Sequence, residues 1–382
     1  MSNNKTTFDA PGYRKKLHQN PELSCHERET AITIAQQLKM FGLEPVTNIS
    51  GYGLICTVEG KEPGPTTLLR ADFDAIAVQE KAKHAHVSQN DGVMHGCGHD
   101  GHTTSLLKVA QSLSQNPPEQ GKVVLLFQPA EETGTGANSM LNHPKLNDLK
   151  VDNVFAYHNL PGHPLHEIVV KQGTFACAST GVCIELQGKT SHAAYPEKGI
   201  SPVGEMVEII SFLQQLPEQS EDKSSLVTIV YAKLGEEAYG VSAGSAKIMA
   251  TLRSESNHAF NSMKQQLTDQ LSHMQQHSDL AITHSWHEPF NAAVNSDSHV
   301  ELLKSQAQKL GLSITELNEP LRWSEDFSEF LLKFDGALFG IGSGQHHPEL
   351  HNPDYDFPDE ILDTACNLFM ALIKEIHGLR SS

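Results

Sequence analysis

The chain is poor in positive charge: 28 Lys+Arg stand against 46 Asp+Glu in 382 residues, a formal net charge of −18. A nucleic-acid binder needs a basic face for phosphate, and docking on an anionic membrane needs the same. Neither partner is expected, and the acid excess reads as solvated, repulsive surface. Long apolar runs are missing, with nothing near the roughly 18 residues of a membrane span. The opening "MSNNKTTFDAPGYRKK" lacks the apolar centre of a signal peptide. The six cysteines (Cys25, Cys56, Cys97, Cys177, Cys183 and Cys366) include no CxxC pair. That argues against a disulfide framework and for a reducing compartment, so a cytoplasmic location is expected. Repeats and low-complexity tracts are also absent. The length exceeds what one core usually serves, and two domains are expected.

What is present is an alternation of helix-like and strand-like segments. "ETAITIAQQLKMFGL" reads as a helix stopped by Gly42, "TTLLRAD" as a buried strand, "HTTSLLKVAQSL" as a helix, and "KVVLLFQ" and "VDNVFAYH" as strands. Such alternation predicts an α/β fold, a central mostly parallel sheet flanked by helices. From about residue 182 the order becomes strand, helix, two strands, helix, strand, which suits a small α/β sandwich inserted into the first domain. After about residue 293 the alternation of the first half resumes. The expected organisation is therefore a discontinuous catalytic domain, residues 1–181 and 293–382, with an inserted lid or dimerisation domain at 182–292.

Chemistry-bearing residues gather just past predicted strands, where open α/β sheets build their sites. "LLRADFDAIAVQE" carries Asp72 and Asp74, "LLFQPAEETGTG" carries Glu131 and Glu132, and "VFAYHNLPG" carries His158. "GIGSGQHHPELHNPDY" adds His346, His347 and His351, and "MHGCGHDGH" supplies His95, Cys97, His99 and His102. A structural zinc site normally takes four thiolate or imidazole ligands from two short knuckles. Here a single thiolate is mixed with imidazoles and carboxylates, which points to a catalytic centre with two metals sharing a bridging group. Adjacent side chains on an extended segment face different ways. One glutamate of the pair can thus meet metal while the other serves as general base. The glycines of "GCGHDG" supply unusual backbone angles cheaply.

Seven segments together resemble the N-acyl-amino-acid amidohydrolases: "LLRADFDAIAVQE", "MHGCGHDGHTTSLL", "LLFQPAEETGTGA", "YHNLPGHP", "GKTSHAAYP", "WSEDFSEFL" and "LHNPDYDF". That group includes hippurate hydrolases, aminoacylase-like enzymes and hydrolases of indole-acetyl amino acid conjugates, within a larger family of two-metal exopeptidases and deacylases. The resemblance implies Cys97, His99, Glu132, His158 and His351 as metal ligands, with Cys97 able to bridge. It implies Glu131 as general base and Asp74 as the aspartate that orients a metal-binding group. His192, on the inserted domain, would hold substrate or its oxyanion, within its own subunit or across a dimer. Arg253 and Asn291 would contact the substrate carboxylate. Asp72, His95 and His102 are read as supporting groups, and His346 and His347 as loop residues. The chain departs from the family at "DAIA", where "DALP" is usual, and at "YGVSAGSA", where an "NVIPD"-like stretch is often found.

The expected activity is metal-dependent hydrolysis of N-acyl amino acids, with two divalent ions (zinc, manganese, cobalt or nickel) per subunit and a small-molecule substrate. A homodimer through the inserted domain is also implied. A dipeptidase or carboxypeptidase with the same metals is the nearest alternative. A non-catalytic binding protein on this fold is a second, and a redox enzyme using Cys97 lacks a resolving cysteine.

Overall fold

The computed structural model describes residues 8–379 and contains two compact units. The first comprises residues up to Phe175, Ala293–Glu319 and the chain from Asp326 onward; the second comprises Ala176–Ala292 with Pro320–Glu325.

The first unit is built on an eight-stranded sheet. In spatial order its strands are Val46–Ile49, Gly53–Glu59, Gln120–Gln128, Glu62–Asp72, Asn153–Pro161, Gly336–Gly344, Ile168–Val170 and Ile314–Glu316. The four central strands, from Gln120–Gln128 to Gly336–Gly344, run parallel to one another. Antiparallel pairings join the flanking strands at Gly53–Glu59 and Ile168–Val170. The central strands read as unbroken apolar runs because helices cover both faces. Val123 to Phe127 are all essentially inaccessible to solvent.

Helix α1 spans Ala10–Gln19, α2 spans Arg28–Met40 and α3 spans His99–Gln115. The C-cap of α2 is Phe41, with Gly42 beyond it at φ +82°. Apolar residues of these helices and of the helix Ile361–His377 join Leu69, Phe127 and Phe155 in one core. Two details differ from the sequence expectation. His158 lies within its strand, which runs on to Pro161, and α3 starts at His99, so His102 sits a turn inside it.

The second unit is a four-stranded antiparallel sheet in the order Leu226–Leu234, Ser245–Ser254, Ala178–Gln187 and Ala281–Phe290. Ile209 and Leu213 of the helix Val203–Gln215, with Phe260, Met263 and Leu267 of the helix Asn257–His277, pack with Ile184, Ile248 and Leu252 to form its core.

Beneath the strand ends of the first unit lies a buried ionic knot. Arg70 donates to Asp72 Oδ2 through Nη1 and to Asp326 Oδ1 through Nη2, the latter at 2.8 Å. Asp326 also accepts from Gln128 Nε2 and from the backbone amide of Ala137. Removing one partner of a buried pair strands the other charge, at a cost of about 3–5 kcal/mol. Asp326→Ala should lower the unfolding free energy by that order, which urea titration followed by circular dichroism measures; a change below about 1 kcal/mol would refute this role.

Candidate metal centre

Sharp turns aim several of the donor side chains. After Gln128 the chain passes through Ala130, a non-glycine residue at φ +54°. That conformation is sparsely populated, and local bonds hold it: Ala130 N donates to Glu27 Oε1 at 2.8 Å and Gly136 N to Ala130 O at 3.0 Å. Glu131 and Glu132 follow. Cys97 lies one residue before Gly98, which caps α3 at φ +95°. A Cβ at Gly98 would meet Asn159 Oδ1 at 2.5 Å, so only glycine serves both backbone angle and clearance there. His351 also has a positive φ, +65°, and its amide donates to Gly96 O at 2.8 Å.

These turns, with the strand that carries His158, bring Cys97, His99, Glu131, Glu132, His158 and His351 together. Cys97, His99 and His158 form one close group, Cys97, Glu132 and His351 a second, and His99, Glu131 and Glu132 a third, with donor atoms within 4.8 Å in each. Cys97 Sγ is 3.4 Å from His158 Nε2, and Glu132 Oε1 is 3.5 Å from His351 Nε2. His158 Nδ1 is 2.9 Å from the carbonyl of Asn159, which directs Nε2 toward the cluster. His99 is placed the same way: Nδ1 lies 3.0 Å from Asp74 O and 3.3 Å from Asp74 Oδ1. Asp74 is itself held by Ser24 Oγ and by the backbone amide of Glu132.

Two buried atoms in the middle, His99 Nε2 and Glu132 Oε1, have no hydrogen-bond partner and lie 3.9 Å apart. Burial, with the Glu132 charge beside it, pushes the Cys97 thiol pKa up, so a thiolate here needs a cation next to it. Orphaned acceptors, a buried thiol and imidazoles fixed through their far nitrogens are what divalent metal binding requires. The residues fit two such ions.

The other histidines and lid residues singled out in the sequence stand outside this donor set. His102 Nδ1 is 2.6 Å from Asp72 Oδ1, and its Nε2 is 2.6 Å from Asn159 Oδ1, so neither nitrogen is available to metal. His95 is buried with neither ring nitrogen hydrogen-bonded, and burial pushes its pKa down to about 4. His346 is exposed in the loop, and His347 Nε2 is 2.6 Å from Asp356 O. In the second unit, His192 is exposed on the short strand Ser191–His192, which pairs with Val241–Ser242. Arg253 Nη1 donates to Arg322 O at 2.9 Å, and Asn291 follows the last strand, half-buried.

Three contributors are not evident from residue order. Asn159 braces His102 and donates to Tyr355 Oη; its place beside His158 is the one available signal. Asp326 gives its amide to Glu131 Oε1 at 3.4 Å, from a segment 195 residues away. Glu27 holds the Ala130 turn, and nothing in its neighbourhood in sequence points to it.

A donor set of this kind, with a second carboxylate beside it, belongs to hydrolases that activate water on metal. Residues 68–375 match the family model of Peptidase family M20/M25/M40, and the chain belongs to that family. It is a metal-dependent amide hydrolase. The chain is 31% identical over 363 residues to the hippurate hydrolase of Campylobacter jejuni, covering 94% of each chain. It is 30% identical over 359 residues to the N-acetyl-L-cysteine deacetylase of Bacillus subtilis, covering 93% of this chain and 85% of that one. Among solved structures, the Bacillus subtilis YXEP protein, described as a dinuclear metal-binding peptidase of the M20 family, superposes with a TM-score of 0.81. It is 27% identical, with 96% of this chain and 97% of that one covered.

Burial, reinforced by Asp74, pushes the Glu27 carboxyl up to about 7. In the unfolded chain that proton leaves near the ordinary carboxyl value of 4.5, so between about pH 4.5 and 7 the unfolded chain binds fewer protons than the folded one. Stability should therefore fall as pH rises through this window. Glu27→Gln keeps the acceptor for Ala130 and removes the ionisation. It should be more stable than the parent at pH 8, by at most about 3 kcal/mol, and equal to it near pH 4. Thermal melts across this range that show no pH-dependent difference would refute the assignment.

Proposed function

We propose that this enzyme hydrolyses the amide bond of N-acyl amino acids, releasing a carboxylic acid and the free amino acid. The observation that carries the reading is the different engagement of the adjacent glutamates. Glu132 Oε1 lies among His99 and His351, while Glu131 Oε1 accepts from the amide of Asp326. Glu131 Oε2 lies 3.9 Å from His99 Nε2, at the edge of the cluster.

Two divalent ions held by Cys97, His99, Glu132, His158 and His351 would supply Lewis acidity, which lowers the pKa of a coordinated water from 15.7 towards about 7. Glu131 takes a proton from the attacking water at Oε2, while the Asp326 amide keeps the carboxylate from turning away. The same oxygen returns the proton to the leaving nitrogen as the amide bond breaks. Asp74 holds His99 in the tautomer that leaves Nε2 free of hydrogen. In the second unit, His192 would stabilise the oxyanion, and Arg253 and Asn291 would grip the substrate carboxylate; support for these three comes from the family resemblance. Zinc, manganese, cobalt and nickel all suit the donor set.

Solvent-facing apolar residues on the second unit support a homodimer through it. Leu226, Val230 and Tyr231 are exposed on the edge strand Leu226–Leu234, and Val203 and Val207 are exposed on the helix Val203–Gln215. An uncovered edge strand with apolar neighbours is a pairing surface. Six unpaired cysteines support a reducing, cytoplasmic setting. No helix among the described residues is long and apolar enough to cross a membrane.

Glu131→Gln should lower kcat on N-acetyl or N-benzoyl amino acids by about 10²–10⁴ while metal content, read by plasma emission, stays at the parent level. The parent enzyme should cleave those substrates well above a panel of dipeptides. A preference for dipeptides overturns the substrate class, and substantial Glu131→Gln turnover overturns the base. Light scattering on the purified chain should give the mass of a dimer, and Val230→Lys with Val207→Lys should give a monomer; a monomeric parent refutes the interface.

A further inference from the structure

A second ligand-rich cluster lies in the first unit, separate from the donors above. His18, near the end of α1, is fully buried. Its Nδ1 lies 2.9 Å from Asp100 Oδ2, and its Nε2 lies 3.3 Å from Glu80 Oε1. His84 Nε2 is 3.1 Å from the same Glu80 oxygen and 3.9 Å from Asp356 Oδ2. His18, His84 and Asp356 place one donor atom each within 4.8 Å of one another. Both ring nitrogens of His84 are shut off from solvent without a hydrogen bond. The ring is held flat against His86, centroids 3.8 Å apart and planes within 9°.

We propose that His18 Nε2, His84 Nε2, Glu80 Oε1 and Asp356 Oδ2 bind a third divalent cation of the zinc type, with a structural role. Four features of the geometry carry it. Bonds of 2.0–2.1 Å in a tetrahedral site separate the ligand atoms by about 3.3 Å, and two of the observed separations are 3.1 and 3.3 Å. As the ring stands, His18 donates from Nδ1 to Asp100 and from Nε2 to Glu80, which holds its pKa up to about 9 against burial; a divalent ion would displace the Nε2 proton and keep Nδ1–H on Asp100, the arrangement that metal-bound imidazoles share. The remaining carboxylate oxygens are occupied: Glu80 Oε2 accepts from the amide of Ser88 and Asp356 Oδ1 from Arg14 Nη1. Asp356 Oδ2 is steadied from the side by His86 Nε2, 2.8 Å away. Nε2 of His84 is the fourth mark, because a ring nitrogen shut off from water without a hydrogen bond costs free energy that a bound cation removes.

Charge favours the same reading. Glu80, Asp100, Asp356 and Asp359 face Arg14, Lys15 and His18. With His18 neutral, four carboxylates and two cations remain, and one divalent ion balances them. The ion would tie α1, the loop carrying Glu80 and His84, and the segment carrying Asp356. That last segment begins just after His351, so the third ion steadies one arm of the catalytic cluster without belonging to it.

The test is a metal count on the full chain, dialysed against micromolar zinc and passed through a desalting column. The parent should hold one equivalent more than His84→Ala and one more than Glu80→Gln, whatever number the catalytic cluster holds. Circular dichroism verifies that each variant is folded, and either one suffices if the other is not. In cobalt-loaded protein, the difference spectrum of parent minus His84→Ala should show the visible d–d bands of a tetrahedral site. Equal zinc content in the parent and both variants would overturn the proposal and leave His18 as the charged centre of an ion-pair network. A failure of the catalytic reading would appear instead as unchanged turnover in Glu131→Gln, which this count does not touch.

Discussion

The guanidinium of Arg70 ties the first unit together. It is 2% exposed and spans two buried carboxylates, Asp72 on its own strand and Asp326 from near the far end of the chain. A buried arginine has no low-cost alternative to such partners, since leaving its charge uncompensated costs several kcal/mol. Its fork therefore dictates where the Asp326 segment lies against the sheet. From that follow the Gln128 side chain, the Ala137 amide and, through the Asp326 backbone, the Glu131 carboxylate. The residue assigned as general base is thus steadied by an ion pair that it does not itself join.

Around this knot the candidate metal cluster concentrates charge that water would otherwise solvate. Asp72 and Asp74 are both buried, and their carboxyl pKa values are driven down, against the desolvation that opposes it, by Arg70, His99 and His102 for the first and by His99 and Ser24 for the second. With no ion at Nε2, Asp72 and Cys97 hold the His99 pKa well above the ordinary histidine range, again against burial, and a metal bound there would displace that proton. These groups thus depend on neighbours of opposite charge. A site so arranged loses affinity for metal whenever one brace is removed, because hydrogen bonds behind the ligands orient the donors. The Asn159–His102–Asp72 chain and the Asp74–His99 pair are such braces.

Much of this is legible in residue order. The strand runs around Leu68, Val123 and Phe155 announce a parallel core, and the donors sit where such sheets put their chemistry, at strand ends. "CGHDGH", "AEE" and "LHNP" carry residue types that metal needs, and the family resemblance supplies their roles. The positive-φ turns at Gly98 and Ala130 are only half visible: glycine advertises one, while the alanine gives no sign. The roles of Glu27, Asn159 and Asp326 are not visible, although the last two stand in the segments "YHNLPGHP" and "WSEDFSEFL", because each acts through hydrogen bonds to partners remote in sequence or through an ordinary amide. Periodicity and composition do not encode such pairings.

The second histidine cluster shows the same division. His18, His84 and Asp356 lie on segments that residue order treats as unrelated, and none of the three stands in a spacing that suggests a ligand. Residue order alone dictated the α/β class, the apolar strands, the donor inventory and the acidic surface, since these depend on side-chain type and local period. Folding decided which donors meet, which imidazole nitrogen faces inward and which carboxylate is held still. Those choices depend on distances between segments far apart in the chain, set when Arg70 and its two carboxylates are buried together.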